Sequence, residues 1–535
     1  MLDFFDKTAR KGTILTRKGY IINKNDFSEK EIRKIKNQLT VKPVVHRDFA
    51  HFAEEFPVFY ESSDKLYLPR YWGLENLGPP KKIDICDGEP INLKCVFKPR
   101  PIQRPIIKRA LSILQNPFDK FIVKSVKNKK SIVKHKLYGG GTIISVYCGM
   151  GKTYMALYIM TKLAQKTLIV VHTSVLLTQW IERIEQFVPD ARVGIIKGPK
   201  CDVEDKDIVI AMLQTLVSEN RVFPRGFFNQ FGLSVVDECH HLAAPTFSRA
   251  LPIMATKYFL GLSATPTRND KLEKVFYWHL GYIGNDLIKK RGGQKVIVKF
   301  INYTNTHFRE IRRYNARTCR NDAYDIPKMV DLIISCKRRL KFIRFQLKLF
   351  AQQGRQILVL SSRKIHLKSM IENFDSFNYT KIVDGEEVPI TTGYYMGGMK
   401  KAQLEESSKC DIIYGTYNLV AEGTDIPTLN TLLMACPRKE VEQVVGRILR
   451  ANTGFTPIVI DIADNFSIFI NQGTYRQRFY KRQEYHIDVF EVVKENYKDV
   501  KLKDVKQTEG LKIRKRKKVE EIIFSGLAIC SDSDD

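Results

Sequence analysis

The run Cys148-Gly149-Met150-Gly151-Lys152-Thr153 sets two glycines, a lysine and a threonine between two apolar stretches. A tight glycine turn points successive backbone N–H groups inward, and a helix opening there adds the positive end of its dipole. In that setting Lys152 would reach the β and γ phosphates of a nucleotide, and the Thr153 hydroxyl would help to hold Mg²⁺. The full pattern has another glycine where Val146 stands, so this is a shortened phosphate loop. Stripped of its flanks, it still reads first as a phosphate loop, with a glycine turn and an exposed lysine as the alternative. Further along, Val235-Val236-Asp237-Glu238-Cys239-His240-His241 ends a second apolar run with two adjacent carboxylates. Asp237 would ligate Mg²⁺ directly or through water, and Glu238 would orient and deprotonate an attacking water. The alternative is an acidic loop whose histidine pair is solvated or binds metal.

Such residues need strands that end where they stand. Gly141–Tyr147, Thr167–His172, Asp207–Ala211, Leu233–Val236 and Tyr258–Leu262 are short apolar runs, each followed by a loop or a helical pattern. Runs of that kind separated by helices predict a parallel sheet covered on both faces, and α/β sheets bind ligands at the carboxyl ends of their strands. The pattern restarts after Gly292-Gly293, with strands expected at Gln356–Leu360, Asp411–Tyr414, Thr431–Ala435 and Pro457–Ile462. The expected organisation is α/β throughout: a small N-terminal domain (1–95), two tandem parallel-sheet domains (96–290 and 291–482) and a charged C-terminal extension (483–535). In the first of these, Asp26 or Ser28 would cap a helix over Glu29–Asn37.

Eighty-eight Lys and Arg against 58 Asp and Glu leave a net charge of +30 in 535 residues, an excess that favours a polyanionic partner. No long basic amphipathic helix argues for a membrane surface, so nucleic acid comes first. No apolar run reaches the roughly 18–20 residues of a membrane span, and the N-terminus shows no secretory pattern, so an intracellular chain is expected. Ten scattered cysteines without a C-x-x-C pair suit neither a zinc site nor a disulfide framework.

Taken in order, the motifs resemble those of superfamily 2 helicases of the DExH type, whose two tandem domains are RecA-like. Arg100-Pro101-Ile102-Gln103 is similar to the family's adenine-reading segment. The stretch Thr167–Trp180, with Thr173, and Met212-Leu213-Gln214-Thr215 resemble motifs that contact the nucleic-acid backbone. Ser263-Ala264-Thr265 resembles the S-A-T motif that, with His240, couples hydrolysis to strand movement. Ser361-Ser362-Arg363 resembles another backbone-contacting motif. Gly415-Thr416 and Glu422-Gly423-Thr424-Asp425 resemble the motif that touches nucleic acid through Thr416 and nucleotide through Gly423 and Asp425. Gln443-Val444-Val445-Gly446-Arg447-Ile448-Leu449-Arg450 matches Q-x-x-G-R-x-x-R. On a helix Arg447 and Arg450 share a face, and the resemblance implies an arginine finger that works when two units close on ATP.

Within the family, C-G-x-G-K-T and D-E-C-H look closer to XPB-like DNA translocases and to the DExH helicases of large cytoplasmic DNA viruses, including the poxvirus transcript-release factor. Asn269 stands where the XPB group has Glu. The resemblance implies an ATP- and Mg²⁺-dependent motor on DNA, with RNA as the alternative. It also implies work beside transcription machinery, in the virion and host cytoplasm if the viral likeness holds. A second function class, a non-catalytic nucleic-acid-binding subunit that only senses ATP, draws on Val146 and Asn269. Three basic stretches stay open. Lys120–Lys136 reads as an inserted hairpin gripping phosphates or as a solvated loop. Tyr475–Arg482 reads as a stacking surface or as a helix packed on the second domain. Lys512–Lys518 reads as a nuclear address, a nucleic-acid arm or a solvated tail.

Overall fold

A computed structural model describes residues 12–44, 54–116, 120–127, 131–147, 149–254, 256–264, 268, 270–281, 283, 288–289, 295–315, 320–423, 426–449, 454–496 and 499–504. The chain divides into two compact units, Met1–Lys290 and Arg291–Asp535.

The first unit is built on an eight-stranded sheet. Its elements are β1 (Gly141–Val146), α1 (Lys152–Leu163), β2 (Thr167–Val171), α2 (Ser174–Phe187), β3 (Val193–Lys197), β4 (Lys200–Cys201), β5 (Ile208–Met212), β6 (Leu233–Asp237), β7 (Tyr258–Ser263) and β8 (Ile288–Lys289). The strand order is β4-β3-β5-β2-β6-β7-β1-β8. Every pair is parallel except the edge hairpin β3–β4. The near-continuous apolar runs follow from burial on both sides. Ile144, Ile169, Ile210, Val235 and Leu260 pack on one face with Met155 and Ile159 of α1, while Ile143, Val170, Ala211, Val236 and Phe259 line the other. The order matters for chemistry: β7 lies between β1 and β6, so the strand ending at Ser263 separates the phosphate-loop strand from the carboxylate strand.

Two further pieces belong to this unit. A five-stranded sheet joins Tyr60–Glu61, Lys65–Leu68, Gly19–Asn23, Ile14–Thr16 and Lys82–Asp84 in that order. It carries the helix Glu29–Leu39, which Ser28 rather than Asp26 caps, in a reciprocal box with Glu31. The short helix Arg70–Asn76 ties it down: the fully buried Arg70 guanidinium donates to the carbonyls of Thr256 (2.6 Å) and Lys257 (3.0 Å). The expected inserted hairpin forms as the antiparallel pair Lys120–Lys127 and Ser131–Tyr138.

The second unit repeats the plan with β9 (Ile297–Tyr303), α3 (Ile326–Ile334), α4 (Lys337–Gln352), β10 (Ile357–Ser361), α5 (Lys364–Asp375), β11 (Thr392–Tyr395), β12 (Ile412–Thr416), β13 (Thr431–Met434), β14 (Ile458–Asp464), α6 (Ile468–Arg482), β15 (His486–Asn496) and β16 (Asp499–Asp504). Their order is β11-β12-β10-β13-β14-β9-β15-β16, parallel until the final antiparallel hairpin. The charge-dense stretch expected as an extension from Gln483 therefore opens with two strands of this sheet. Ile487 and Val489 pack into one core layer and Phe490 into the other, the alternation of faces that a strand beside β9 needs. The run Tyr475–Arg482 is the end of α6, and it is a packing surface: Phe479 and Tyr480 are buried, and Arg476 is bonded to Asp461 beneath. The basic run Lys512–Lys518 lies outside the described residues.

Candidate nucleotide site

The phosphate loop turns on two left-handed glycines, Gly149 and Gly151, both at φ +85°. Gly151 is the N-cap of α1, so the helix opens at Lys152 and its first free N–H groups face the turn. The left-handed conformation favours glycine at Gly151, and a Cβ there would lie 2.6 Å from Gln103 Nε2 and displace that side chain. Gln103 and Arg100 hold the loop from behind. Gln103 Nε2 (2.9 Å) and Arg100 Nη2 (2.7 Å) both donate to the Met150 carbonyl, and Gln103 Oε1 accepts from the Arg100 backbone N–H at 3.0 Å. The pair expected to read a base thus also fixes the backbone that would cradle phosphates.

At the end of β6, Asp237 is held at both oxygens. Its Oδ2 accepts from the Trp180 indole N–H at 2.9 Å, and its Oδ1 accepts from the Glu238 backbone N–H at 3.0 Å. Burial pushes the Asp237 carboxyl above its usual range and the neighbouring Glu238 adds to this, while Lys152 and the two donors pull it back. Glu238 itself sits in the left-handed region, φ +46° and ψ +51°. That turn swings its carboxylate across the sheet edge, where Oε1 lies 3.9 Å from Lys152 Nζ and Oε2 lies 3.4 Å from His240 Nδ1. His240 Nδ1 also meets Ser263 Oγ at 3.1 Å, so the end of β7 is linked to the carboxylate turn. Burial depresses the His240 pKa, which keeps the ring neutral at pH 7 and Ser263 in hydrogen-bonding range of an uncharged partner. Arg268 closes the arrangement by donating to the His240 carbonyl at 2.6 Å and pairing with Asp270.

A nucleotide and its metal fit what is present. The glycine turn presents backbone donors, Lys152 supplies a cation, and Thr153 and Asp237 supply oxygens for a divalent ion. Among the described residues no group of three or more His, Cys, Asp or Glu could hold a metal unaided, so such an ion here would complete its shell with phosphate and water oxygens.

The nucleic-acid candidates stand at the carboxyl edges of the two sheets. Thr173 caps α2 after β2 and accepts from the Leu176 N–H; Thr215 follows β5 and accepts from the Gly198 N–H at 2.9 Å. Each hydroxyl keeps an O–H to donate. In the second unit Ser361 and Thr416 are register partners at the ends of β10 and β12, and Arg363 caps α5 with its Nε 3.2 Å from Asp331. Gln443 lies in the turn of helix Glu442–Val445, which passes into a 3-10 turn, Gly446–Leu449, carrying a buried Arg447. Gly423 ends the helix Tyr417–Gly423. Cys148, Thr265, Asn269, Asp425 and Arg450 lie outside the described residues.

Sequence reasoning missed several contributors. The resemblance puts Trp180 only within a backbone-contacting motif, and its hold on Asp237 goes beyond that. A buried indole N–H must find an acceptor, and that requirement was the available signal. The His172 and His241 ring centroids lie 4.0 Å apart, with the rings tilted by 32°, and those of His241 and His240 4.4 Å apart, tilted by 34°, and Gln214 donates to the His172 carbonyl at 2.7 Å. Nothing in their spacing announces this cluster of three rings.

Two tandem parallel sheets, one carrying a phosphate loop with its carboxylate strand two places away, are the build of a P-loop nucleoside triphosphatase motor. Residues 96–268 match the family model of the type III restriction enzyme res subunit. Over 495 residues the chain is 32% identical to L396 of Acanthamoeba polyphaga mimivirus, a protein named as an ATP-dependent RNA helicase, covering 91% of this chain and 89% of that one. QP509L of African swine fever virus (strain Badajoz 1971 Vero-adapted), similarly named, is 25% identical with 72% and 77% covered. D10 of Escherichia phage T5, named as a helicase, is 23% identical with 80% and 87% covered. The chain belongs to this family of ATP-dependent helicases found in large DNA viruses and phage.

Proposed function

We propose that the chain hydrolyses ATP with Mg²⁺ in response to bound nucleic acid and converts turnover into movement along a strand, with DNA the favoured track. The observation that carries this reading is the approach of Lys152 Nζ to Glu238 Oε1 across the sheet edge, 3.9 Å, because it puts a phosphate-binding cation and a candidate base around one small volume. In this reading the glycine turn and Lys152 bind the β and γ phosphates, and Thr153 and Asp237 hold Mg²⁺. Glu238 takes the proton of the attacking water. The link from Glu238 through His240 to Ser263, with Thr265, reports the state of the nucleotide. Arg447 and Arg450 add positive charge for the transition state, Gln443 offers an amide hydrogen bond beside them, and Gly423 and Asp425 contact nucleotide. Thr173, Thr215, Arg363 and Thr416 hold the phosphate backbone.

The restriction-enzyme name of the matching family model favours DNA. RNA is the second reading, favoured by the names of the mimivirus and African swine fever virus relatives. A place beside viral transcription machinery, for transcript release or template remodelling, goes with either. The test is phosphate release titrated with single-stranded DNA, duplex DNA and RNA at stated salt, beside a strand-displacement assay with 3′ and 5′ overhangs. Lys152→Ala and Glu238→Gln should each abolish turnover and leave nucleic-acid binding largely intact. Parent-like hydrolysis by either variant would overturn the assigned roles, and stimulation by RNA alone would overturn the DNA preference.

A further inference from the structure

Helix α4, Lys-Arg-Arg-Leu-Lys-Phe-Ile-Arg-Phe-Gln-Leu-Lys-Leu-Phe-Ala-Gln, carries six cations and no acid in 16 residues. One of the six is internal: Arg339 is 1% exposed and forms a two-pronged pair with Asp464. The charges of the other five are spaced in a way that disfavours the helix itself. Lys337 and Arg338 occupy its first turn, the positive end of the dipole, where acids are favoured. Lys337 and Lys341, Lys341 and Arg344, and Arg344 and Lys348 stand three or four apart, spacings at which like charges destabilise a helix. A stable helix would not choose this distribution for its own sake, but a polyanion lying along it would reverse the sign of every one of these terms.

Exposure and neighbours support such a partner. Lys337, Arg338 and Lys341 are exposed, and Phe345 stands among them 40% exposed. Towards the end of the helix an aromatic platform begins. The Arg344 guanidinium lies 3.5 Å over the ring of Phe377, which is 44% exposed. Lys348 Nζ lies 4.7 Å from the Tyr379 ring centre, and the Phe377 and Tyr379 rings are stacked at 5.6 Å and 12°. The start of the helix is tied to a candidate backbone contact, because Arg363 pairs with Asp331 on α3, which reaches α4 through Ser335 and Cys336 alone. Of the described acids on α3 and α5, Asp331 is engaged by Arg363, Asp375 accepts from the Thr392 hydroxyl, and Glu372 stands exposed.

We propose that the outer face of α4 and the Phe377–Tyr379 platform form a landing track for single-stranded nucleic acid, about 24 Å long, that continues from Arg363. The cations neutralise successive phosphates, and the exposed parts of the Phe345 and Phe377 rings pack against unpaired bases, which a duplex would keep hidden. The inference rests on the nucleic-acid reading above and extends it to a surface none of the helicase motifs includes.

Fluorescence anisotropy with labelled oligothymidylate and oligouridylate of increasing length, across a salt series, tests it. The double variant Lys341→Ala/Lys348→Ala should bind both several-fold more weakly, and its slope of log affinity against log salt should shrink by about 1.4, or about 0.7 for each lost phosphate contact. Phe377→Ala should weaken binding about tenfold or more at an almost unchanged slope. Hydrolysis without nucleic acid should match the parent in both. Lys341→Arg/Lys348→Arg, which keeps the charge, should keep the slope, and thermal unfolding of each variant separates lost contacts from lost fold. An unchanged slope in a folded Lys341→Ala/Lys348→Ala protein overturns the track, as does an equal loss on blunt duplex. If the parent itself neither binds nor is stimulated by nucleic acid, the proposed function fails; if it does both and the double variant keeps its slope, only the track fails.

Discussion

Trp180 is the residue whose role depends most on its partner. Its indole N–H donates to Asp237 Oδ2 from two turns into α2, the helix that Thr173 caps. Thr173, the proposed backbone contact, and the carboxylate proposed for Mg²⁺ are therefore joined by one rigid element. Outer contacts of this kind orient a ligand, and their loss typically lowers metal affinity about 10–100-fold. Trp180→Phe keeps the packing and removes the donor, so the Mg²⁺ concentration for half-maximal hydrolysis should rise by at least about tenfold while the unfolding temperature changes little. A parent-like Mg²⁺ titration would show that Asp237 needs no such support. The glycine turn was legible beforehand because local conformation dictates it. The Trp180 bond was not, since donor and acceptor lie on separate elements and meet only when β2 and β6 pair.

At the scale of elements, buried ion pairs stitch the second unit together. Arg339 on α4 clamps Asp464 at the end of β14 with 2.8 and 3.0 Å bonds and also donates to the Ala435 carbonyl, with both side chains almost fully buried. Arg476 and the Tyr480 hydroxyl of α6 converge likewise on Asp461. Desolvation makes such pairs costly to halve: removing one partner strands the other, at about 3–5 kcal/mol. Arg339→Met should lower the stability of the fold by about that much in denaturant unfolding. Arg339→Met/Asp464→Leu should recover most of the loss, and a double variant no better than the single would show that the pair is worth more than its desolvation. The positions of these strands followed from apolar runs, but the clamps did not: six basic residues in α4 look alike in sequence, and only packing against β14 makes one of them internal.

For the whole molecule, two buried histidines set an acid limit. Desolvation lowers the pKa of His279 from 6.5 to about 4 and that of His366 to about 3. His366 Nδ1 meets Ser361 Oγ at 3.0 Å, and His279 Nδ1 faces the Val275 carbonyl at 2.9 Å. Because both folded pKa values lie below the unfolded one, the unfolded chain binds more protons between them, and stability rises with pH in that window. The contribution is complete above about pH 6.5 and declines on acidification towards pH 4 in the first unit and pH 3 in the second, by about 1.4 kcal/mol per unit and histidine. Unfolding followed at pH 7.5 and 5.5 should show the loss, and His366→Asn should reduce its slope. An unchanged slope in that variant would mean that the ring is already protonated in the fold.

The order of the motifs, the two parallel sheets and the candidacy of Lys152, Asp237 and Glu238 were legible in the amino-acid sequence alone, because glycine turns, apolar runs and adjacent carboxylates act through neighbours along the chain. Strand order was not, nor was the recruitment of β9 and β15: their half-polar runs resemble loop or tail until a sheet edge supplies the missing hydrogen bonds. Which arginine is core and which faces a polyanion, and which indole steadies a carboxylate, depend on burial. Burial is a property of elements brought together from distant parts of the chain, and only the tertiary structure decides it.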